Sequence, residues 1–366
     1  QQFQNLSHEN TASPVLNTNG VNLNQLIDIG FGSNLATANL NIDVELMDGV
    51  RLNLITYLSS RHHPESWVKG GYLQLDKLPF LGNPDWFAKY MTLRVGHMEV
   101  NYGDAHFRRT DNGNAIYNPF VGNYIMDAFA TEVGGDLTFQ NNGFLVVGGM
   151  TGGEIQGGVT NPDRRKVSLI GKVGYDKQLS EDFRLRLTGS IYTTSGSQRN
   201  TLYGGDRAGS RYYLVMENTL ASTSGNFTSG RINPGQTDNI TALVFNPFIK
   251  YMGLEIFGNF EKTKGKAFNE TVDRTWNQMG IDAVYRFGEM EKFYFAGRYN
   301  KVDGTLAGSG LEIAIDRVQI GGGWFISKNI LAKLEYVSQN YDGFAATDIR
   351  NGGKFNGLMI EGVIGF

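Results

Sequence analysis

Apolar and polar residues alternate with a period of two along most of this chain. Every even position from Ala36 to Leu46 is apolar, whereas the odd positions carry Thr, Asn, Asp and Glu. Asp48-Gly49 then supplies the residue types of a two-residue hairpin turn, and alternation resumes over residues 51–58. A helix would place Asp43 and Glu45 on opposite sides of one apolar stripe, so the period predicts two β-strands joined by a tight turn.

The same alternation recurs in later parts of the chain. In each such segment apolar positions alternate with charged or amide side chains, and glycine is frequent. The segments are 167–176, 183–192, 254–261, 278–287 and 330–336. A soluble sandwich also alternates, but its apolar face points into a core. The charged second face therefore predicts a sheet that encloses a wet lumen.

The connections between these segments fall into two length classes that alternate along the chain. Short turns such as Asp48-Gly49 and Met252-Gly253 alternate with long segments such as 100–128 and 195–240. Outer-membrane barrels combine short periplasmic turns with long extracellular loops. The last strand alternates and ends on Phe366, and if it ends in the periplasm, every short turn falls on the periplasmic side.

The pattern as a whole predicts an all-β fold, a transmembrane antiparallel β-barrel of 16 strands, with 14 as the alternative count. Single-chain bacterial barrels have even strand numbers, which disfavours 15. The first strand is expected at about residues 21–31. Residues 1–20 are polar and without pattern, so we expect an N-terminal arm, followed by a single barrel domain over 21–366.

Composition narrows the class of protein further. The 366 residues include 48 Gly and no Cys, and no stretch approaches the roughly 20 apolar residues that a membrane helix needs. The formal charge of −3 gives no overall attraction to nucleic acid. The chain opens on Gln1 rather than Met, so we expect a mature form whose signal peptide was removed during export to the outer membrane of a Gram-negative bacterium.

Residues 100–128 contain the clearest candidate for a pore constriction. They follow the predicted strand from Tyr90 to Glu99, and charged residues are frequent in both segments. Charged groups at a constriction select ions by their sign and spacing. The alternative is an external loop held by its own Arg–Asp pairs. The candidate constriction set is Arg94, Asp104, His106, Arg108, Arg109 and Asp111.

Alternation also places a set of arginines on the lumen wall. These are Arg51, Arg184, Arg186, Arg274, Arg286, Arg298 and Arg317. Acidic residues occur on the same face, so we favour a solvated wall of cross-strand ion pairs over an arginine ladder that guides anions. The longest loop, 195–240, contains the apolar run Tyr212 to Met216, which favours packing and an ordered role as plug, receptor surface or partner contact. The alternative for a loop rich in Ser, Thr, Gly and Asn is a mobile segment.

The remaining polar motifs give little support for catalysis or metal binding. His62 and His63 are adjacent on an extended chain and point in opposite directions, which makes them a poor metal pair. The segment Asp111 to Asn114 lacks the spaced acids and distal Glu of a calcium loop. No histidine lies in a recognisable nucleophile motif. We therefore expect neither an enzyme nor a metal or other cofactor.

Three segments of the N-terminal third resemble a known family. Asn39 to Val50, Trp67 to Asp76 and Leu93 to Gly103 give, in order, a strand with a tight turn, a wall strand and an Arg-Val-Gly strand leading into the constriction loop. In this layout and in its closing strand, the chain resembles the phosphate-selective porin O and P type and, more broadly, porin-like proteins of the Bacteroidota. The resemblance implies diffusion of small solutes or anions, although successive strands carry no run of luminal arginines.

Two functions from different classes remain open at this point. The first is an outer-membrane porin, a diffusion channel for small hydrophilic solutes or ions, with Arg94, Arg108 and Arg109 near its constriction. The alternative is a plugged barrel that serves as an accessory or structural subunit of a larger outer-membrane complex. Either would be surrounded by lipid and lipopolysaccharide, and its protein partners would be other envelope proteins or copies of itself. A transporter of hydrophobic substrates is disfavoured by the charged lumen.

Overall fold

The computed structural model consists mainly of β-strands, and it describes residues 1–34, 36–59, 61, 65–110, 114–153, 162–197, 199–206, 209 and 211–366. A short helix, α1 (Asp85–Tyr90), precedes the sixth strand. In these ranges no helix combines the length and the apolar character needed to cross a membrane. The strands are β1 (Gln2–Glu9), β2 (Phe31–Ser33), β3 (Ala38–Met47), β4 (Val50–Leu58), β5 (Trp67–Leu75), β6 (Met91–Glu99), β7 (Thr131–Asn141), β8 (Phe144–Thr151), β9 (Ser168–Gln178), β10 (Phe183–Thr194), β11 (Asn239–Tyr251), β12 (Leu254–Lys266), β13 (Arg274–Phe287), β14 (Phe293–Thr305), β15 (Glu312–Ser327), β16 (Ile330–Asp342) and β17 (Lys354–Ile364).

The strands form one antiparallel sheet of 17 strands. From β3 to β17, each strand pairs with the next one along the chain. β17 also pairs with β1, from Gln2 opposite Glu361 to Glu9 opposite Lys354, and β1 pairs with β2. The first and last strands of the chain are therefore hydrogen-bonded neighbours, and residues 34–37 connect β2 to β3.

The N-terminal part of the sheet differs from the prediction. In the described residues the sheet has 17 strands rather than 16 or the alternative 14. The prediction of a first strand at 21–31 is wrong, because the first two strands are β1 (Gln2–Glu9) and β2 (Phe31–Ser33). The expected N-terminal arm of residues 1–20 thus contributes β1. Its inward positions carry mostly polar side chains, so alternation does not reveal them. Those side chains are satisfied by distant partners: Gln2 donates to Glu361 at 2.8 Å and Gln4 to the Tyr213 carbonyl at 3.1 Å.

The two faces of the sheet have opposite character. Along β16, Lys333 and Glu335 are buried, whereas the alternating Leu334 and Tyr336 are 53% and 43% exposed. A water-soluble sheet buries its apolar face instead. The exposed apolar face and the buried charged face indicate an outer surface suited to lipid and an interior that the protein fills itself.

Two connections fill that interior, the inner loop (residues 100–130) and the long loop (residues 195–238). Val121 and Ile125 of the inner loop pack with Val215 of the long loop and with Val302 and Ile315 of the wall. Because the inner loop meets the same face of strands from β9 to β16, the sheet must curve around it.

Candidate functional site

The inner loop is attached to the sheet through its own backbone. The Val121 N–H donates to a carboxylate oxygen of Glu335 on β16 at 2.7 Å. The Ile125 N–H donates to the side-chain oxygen of Asn300 on β14, also at 2.7 Å. Buried N–H groups require such partners, and here the wall side chains supply them. The inner loop therefore lies within the curve of the sheet and not outside it.

Asp104 fixes the start of the inner loop to β9 and β10. Its carboxylate accepts hydrogen bonds of 2.7 and 2.8 Å from Arg186 and lies 2.7 Å from the ammonium group of Lys172. The Thr188 hydroxyl donates a further bond of 2.7 Å. Burial alone would raise the pKa of Asp104, but Arg186 and Lys172 outweigh it and hold that pKa well below its usual range. The carboxylate stays charged and anchors the loop.

A second buried carboxylate joins the inner loop to the long loop. Asp127 accepts hydrogen bonds of 2.5 Å from both Arg109 of the inner loop and Arg231 of the long loop. Burial opposes the charge of Asp127, but the two arginines lower its pKa. The Phe129 ring lies 4.4 Å from the Arg109 guanidinium and 4.8 Å from the Lys69 ammonium, which links the cluster to β5.

Arg108 and His106 point to different parts of the wall. The Arg108 guanidinium lies 4.7 Å from the centre of the Phe257 ring and 3.9 Å from a carboxylate oxygen of Asp282. His106 Nδ1 lies 3.5 Å from Glu99 Oε1. Burial lowers the pKa of His106 by more than the neighbouring Glu99 raises it, so the ring is neutral near neutral pH.

The candidate constriction set is thus spread over several places. Arg94 lies on β6 and forms a two-pronged ion pair with Asp136 on β7. Asp104 faces β9 and β10, and Arg109 faces the long loop. Asp111 lies outside the described residues. Of the described members, four therefore lie at separate contacts of the inner loop and Arg94 lies in a wall pair, where the sequence suggests a single group.

Most arginines placed on the lumen wall take part in ion pairs. Arg317 on β15 instead donates to Gln339 and to the carbonyl oxygens of Asn123 and Gly230 among the described residues. Some of these pairs join neighbouring strands, and others join a strand to a residue outside the strands. The pairs are Arg51–Asp76, Arg184–Asp176, Arg186–Asp104, Arg186–Asp176, Arg274–Glu270, Arg286–Glu255 and Arg298–Asp282.

Sequence reasoning missed an apolar cluster inside the sheet. Ile240, Ala242 and Val244 of β11 are buried on its inner side and pack in the cluster that contains Ile125 and Val215 of the two loops. A signal exists in the sequence, because residues 240–245 are apolar at five of their six positions and thus on both faces. Such a run is typical of a strand that is buried on both sides.

A polar cavity remains on the side of the sheet formed by β3 to β7. Its volume is about 150 Å³. Side chains of five strands or their ends line it, together with the inner loop. Its polar lining includes Asn39, Asn41, Lys69, Tyr72, Arg94 and Glu99. Of the candidate constriction set, Arg94 is the member that lines this cavity.

No protein-family model matches this chain, and no curated protein matches it by sequence. Solved structures match over almost the whole chain. An anion-selective porin from Comamonas acidovorans is 12% identical with a TM-score of 0.56, over 100% of this chain and 99% of the porin. OmpT of Vibrio cholerae without loop L8 is 12% identical with a TM-score of 0.52, over 98% of this chain and 96% of OmpT.

Salmonella typhi OmpF, in complex with daunomycin, is 11% identical with a TM-score of 0.51, over 99% of this chain and 96% of OmpF. At this identity the similarity shows the fold alone. The sheet has the architecture of porin-like outer-membrane proteins.

Proposed function

We propose that this chain closes into a transmembrane β-barrel in the bacterial outer membrane and acts as a porin-like channel for small hydrophilic solutes or ions. The observation that carries the proposal is the inversion of the two faces, with exposed Leu334 and Tyr336 alternating with buried Lys333 and Glu335. An apolar outer band matches lipid, and a charged interior matches a path for water-soluble molecules.

Barrel closure is supported by the pairing of the two ends of the chain. β1 is paired with β17 over eight positions, and β2 extends the series beyond β1. A membrane-spanning sheet leaves no open edge in hydrocarbon, because unsatisfied backbone groups are costly there. Closure of the proposed barrel would be completed by a contact between β2 and β3. These two strands are consecutive and are connected by residues 34–37.

The path for solutes would run along β3 to β7, where the inner loop does not fill the interior and the polar cavity remains. The opposite side of the interior is occupied by both loops and by the apolar cluster. Ion pairs on the wall favour a channel of weak ion selectivity over a strongly anion-selective one. Phosphate selectivity and a Bacteroidota origin, which the resemblance implies, stay expectations, as does the absence of enzymatic activity.

The second candidate is a plugged barrel that acts as a subunit of a larger envelope complex. A specific observation favours it: Asp127 ties Arg109 of the inner loop to Arg231 of the long loop, so the two loops form one packed body. An ordered body of this kind would close the lumen and present the outer ends of the loops to a partner.

Conductance of the purified protein in a planar lipid bilayer separates the two candidates. Stepwise current in potassium chloride supports the channel, and the reversal potential under a salt gradient gives its selectivity. Absence of current, under conditions in which a control porin opens, contradicts the channel and supports the plugged barrel.

A further inference from the structure

We infer that the polar cavity beside β3 to β7 binds a small uncharged solute with several hydroxyl groups, of the size of a monosaccharide. The inference rests on the proposed channel function and names the class of solute that this channel would recognise.

The cavity offers buried acceptors that need a donor. Oδ1 of Asn39 and Oε1 of Glu99 are buried and accept no hydrogen bond in the part of the chain that the structure describes. His106 Nδ1 lies 3.5 Å from that Glu99 oxygen, beyond the usual distance of an N–H···O hydrogen bond. A phosphate dianion or a carboxylate can only accept, so it would leave both oxygens unsatisfied. Hydroxyl groups can donate to both oxygens and also accept from neighbouring donors.

The cations at the cavity are already neutralised. Two nitrogen atoms of Arg94 donate hydrogen bonds to the Asp136 carboxylate. The Lys69 ammonium lies 3.6 Å from a carboxylate oxygen of Asp206. A bound anion would have to compete with these carboxylates and would also face the charge of Glu99. An uncharged solute avoids both penalties, because burial of an unpaired charge is far more costly than burial of hydrogen-bonded hydroxyls.

The size and the remaining groups fit a sugar ring. An apolar protein cavity of about 150 Å³ can hold benzene, so a six-membered ring is of suitable size. The amide groups of Asn39 and Asn41 each combine a donor and an acceptor, which suits neighbouring hydroxyl groups. Tyr72 also lines the cavity, and a cavity with a few convergent polar groups is typical of small-molecule sites.

The test compares D-glucose with D-gluconate, which have similar size but differ in charge. The whole protein is reconstituted into liposomes, and swelling rates are measured for the wild type and for Asn39→Leu, which removes one free acceptor. Asn269→Leu, at an exposed loop position, is the matched control. Glu99→Gln serves as a second variant, because it keeps the shape of the side chain but removes the charge.

We expect glucose to enter faster than gluconate, and Asn39→Leu to lower the glucose rate about fivefold, the scale of one hydrogen bond. Glu99→Gln should narrow the difference between the two solutes. Equal or faster entry of gluconate in the wild type, or an unchanged glucose rate in Asn39→Leu, would overturn the inference.

Failure of the channel itself would be visible separately as absence of conductance in potassium chloride. In that case calorimetric titration of the detergent-solubilised protein with glucose decides the inference directly. Binding that Asn39→Leu weakens and Asn269→Leu does not would support it, and absence of binding would overturn it.

Discussion

At the scale of single residues, two buried aspartates hold the inner loop through basic partners on the wall and on the two loops. Asp104 and Asp127 each accept hydrogen bonds from basic groups in places that exclude water. An exposed pair such as Lys354–Glu9 contributes little, because solvent screens it. Removing one partner of a buried pair is costly, since the remaining charge is left unpaired.

The first prediction concerns Asp104→Asn. This change leaves the Lys172 ammonium and one side of the Arg186 guanidinium without their carboxylate. We expect the free energy of unfolding, from urea titration in detergent micelles, to fall by about 3 kcal/mol. Asp303→Asn is the matched control, because Asp303 is exposed and accepts a bond from Asn277 at the surface. An equal decrease in the free energy of unfolding in the two variants would contradict the role of Asp104 as an anchor of the inner loop.

The second prediction is a dependence of stability on pH that arises from His106. Burial lowers the pKa of His106 in the folded protein, so below about pH 6.5 the unfolded chain binds a proton that the folded chain does not. The stability that the neutral His106 ring contributes is therefore present above pH 6.5. It is lost as the pH falls from 6.5 through the lower pKa that His106 has in the folded protein. We expect His106→Gln to reduce the fall in unfolding free energy between about pH 7 and pH 5. Parallel pH profiles for variant and wild type would exclude this origin.

At the scale of elements, the strands with regular alternation are predictable and those without it are not. The hairpin of β3 and β4 follows from its period and from Asp48-Gly49. β1 does not, because its inward Gln2 and Gln4 are satisfied by residues hundreds of positions away in the chain. Such partners are fixed by the pairing of β1 with β17, which a local pattern does not contain.

The candidate site likewise has some features that the sequence predicts and others that it does not. Sequence alone indicates that residues 100–128 are charged and that Tyr212 to Met216 pack, and these segments do carry the buried contacts of the two loops. The choice of partner is not predictable from sequence, since Arg109 meets Asp127 and Arg231 only after both loops enter the interior. That one carboxylate oxygen of Glu99 and the amide oxygen of Asn39 accept no hydrogen bond from the described residues is likewise a property of the packing and not of any motif.

The third prediction tests whether the two loops form one body. Asp127→Asn leaves the buried guanidinium groups of Arg109 and Arg231 without their shared carboxylate. We expect the long loop to open more often, with limited proteolysis within residues 195–238 faster by about tenfold, and with a larger single-channel conductance. Asp348→Asn, which affects a partly exposed pair with Arg350, is the control and should leave both readouts unchanged. A smaller conductance in Asp127→Asn would show that the loops do not limit the path.

At the scale of the whole molecule, the fold depends on the contact between its two ends. β1 lies against β17 so closely that one glycine is required at the contact. Gly357 has φ of +147°, and a Cβ there would lie 2.1 Å from the Asn5 carbonyl oxygen and 2.9 Å from the Cα of Leu6. Both neighbouring groups belong to backbone, which a rotamer change does not relieve. Five positions along the same strand, Gly362 has open space where a Cβ would stand.

The last prediction uses this pair of glycines. Gly357→Ala should force β1 away from β17 and lower the free energy of unfolding by about 2 kcal/mol or more, because backbone contact and an unfavourable φ act together. Gly362→Ala, the matched control on the same strand, should leave it almost unchanged. Urea titration gives the energies. The proposed barrel predicts a compact, heat-modifiable band on SDS gels, and loss of that band in a variant reports failure to close. If both variants remain equally stable and compact, β1 does not close the sheet on β17, and closure of the membrane-spanning wall has to come from another pair of strands.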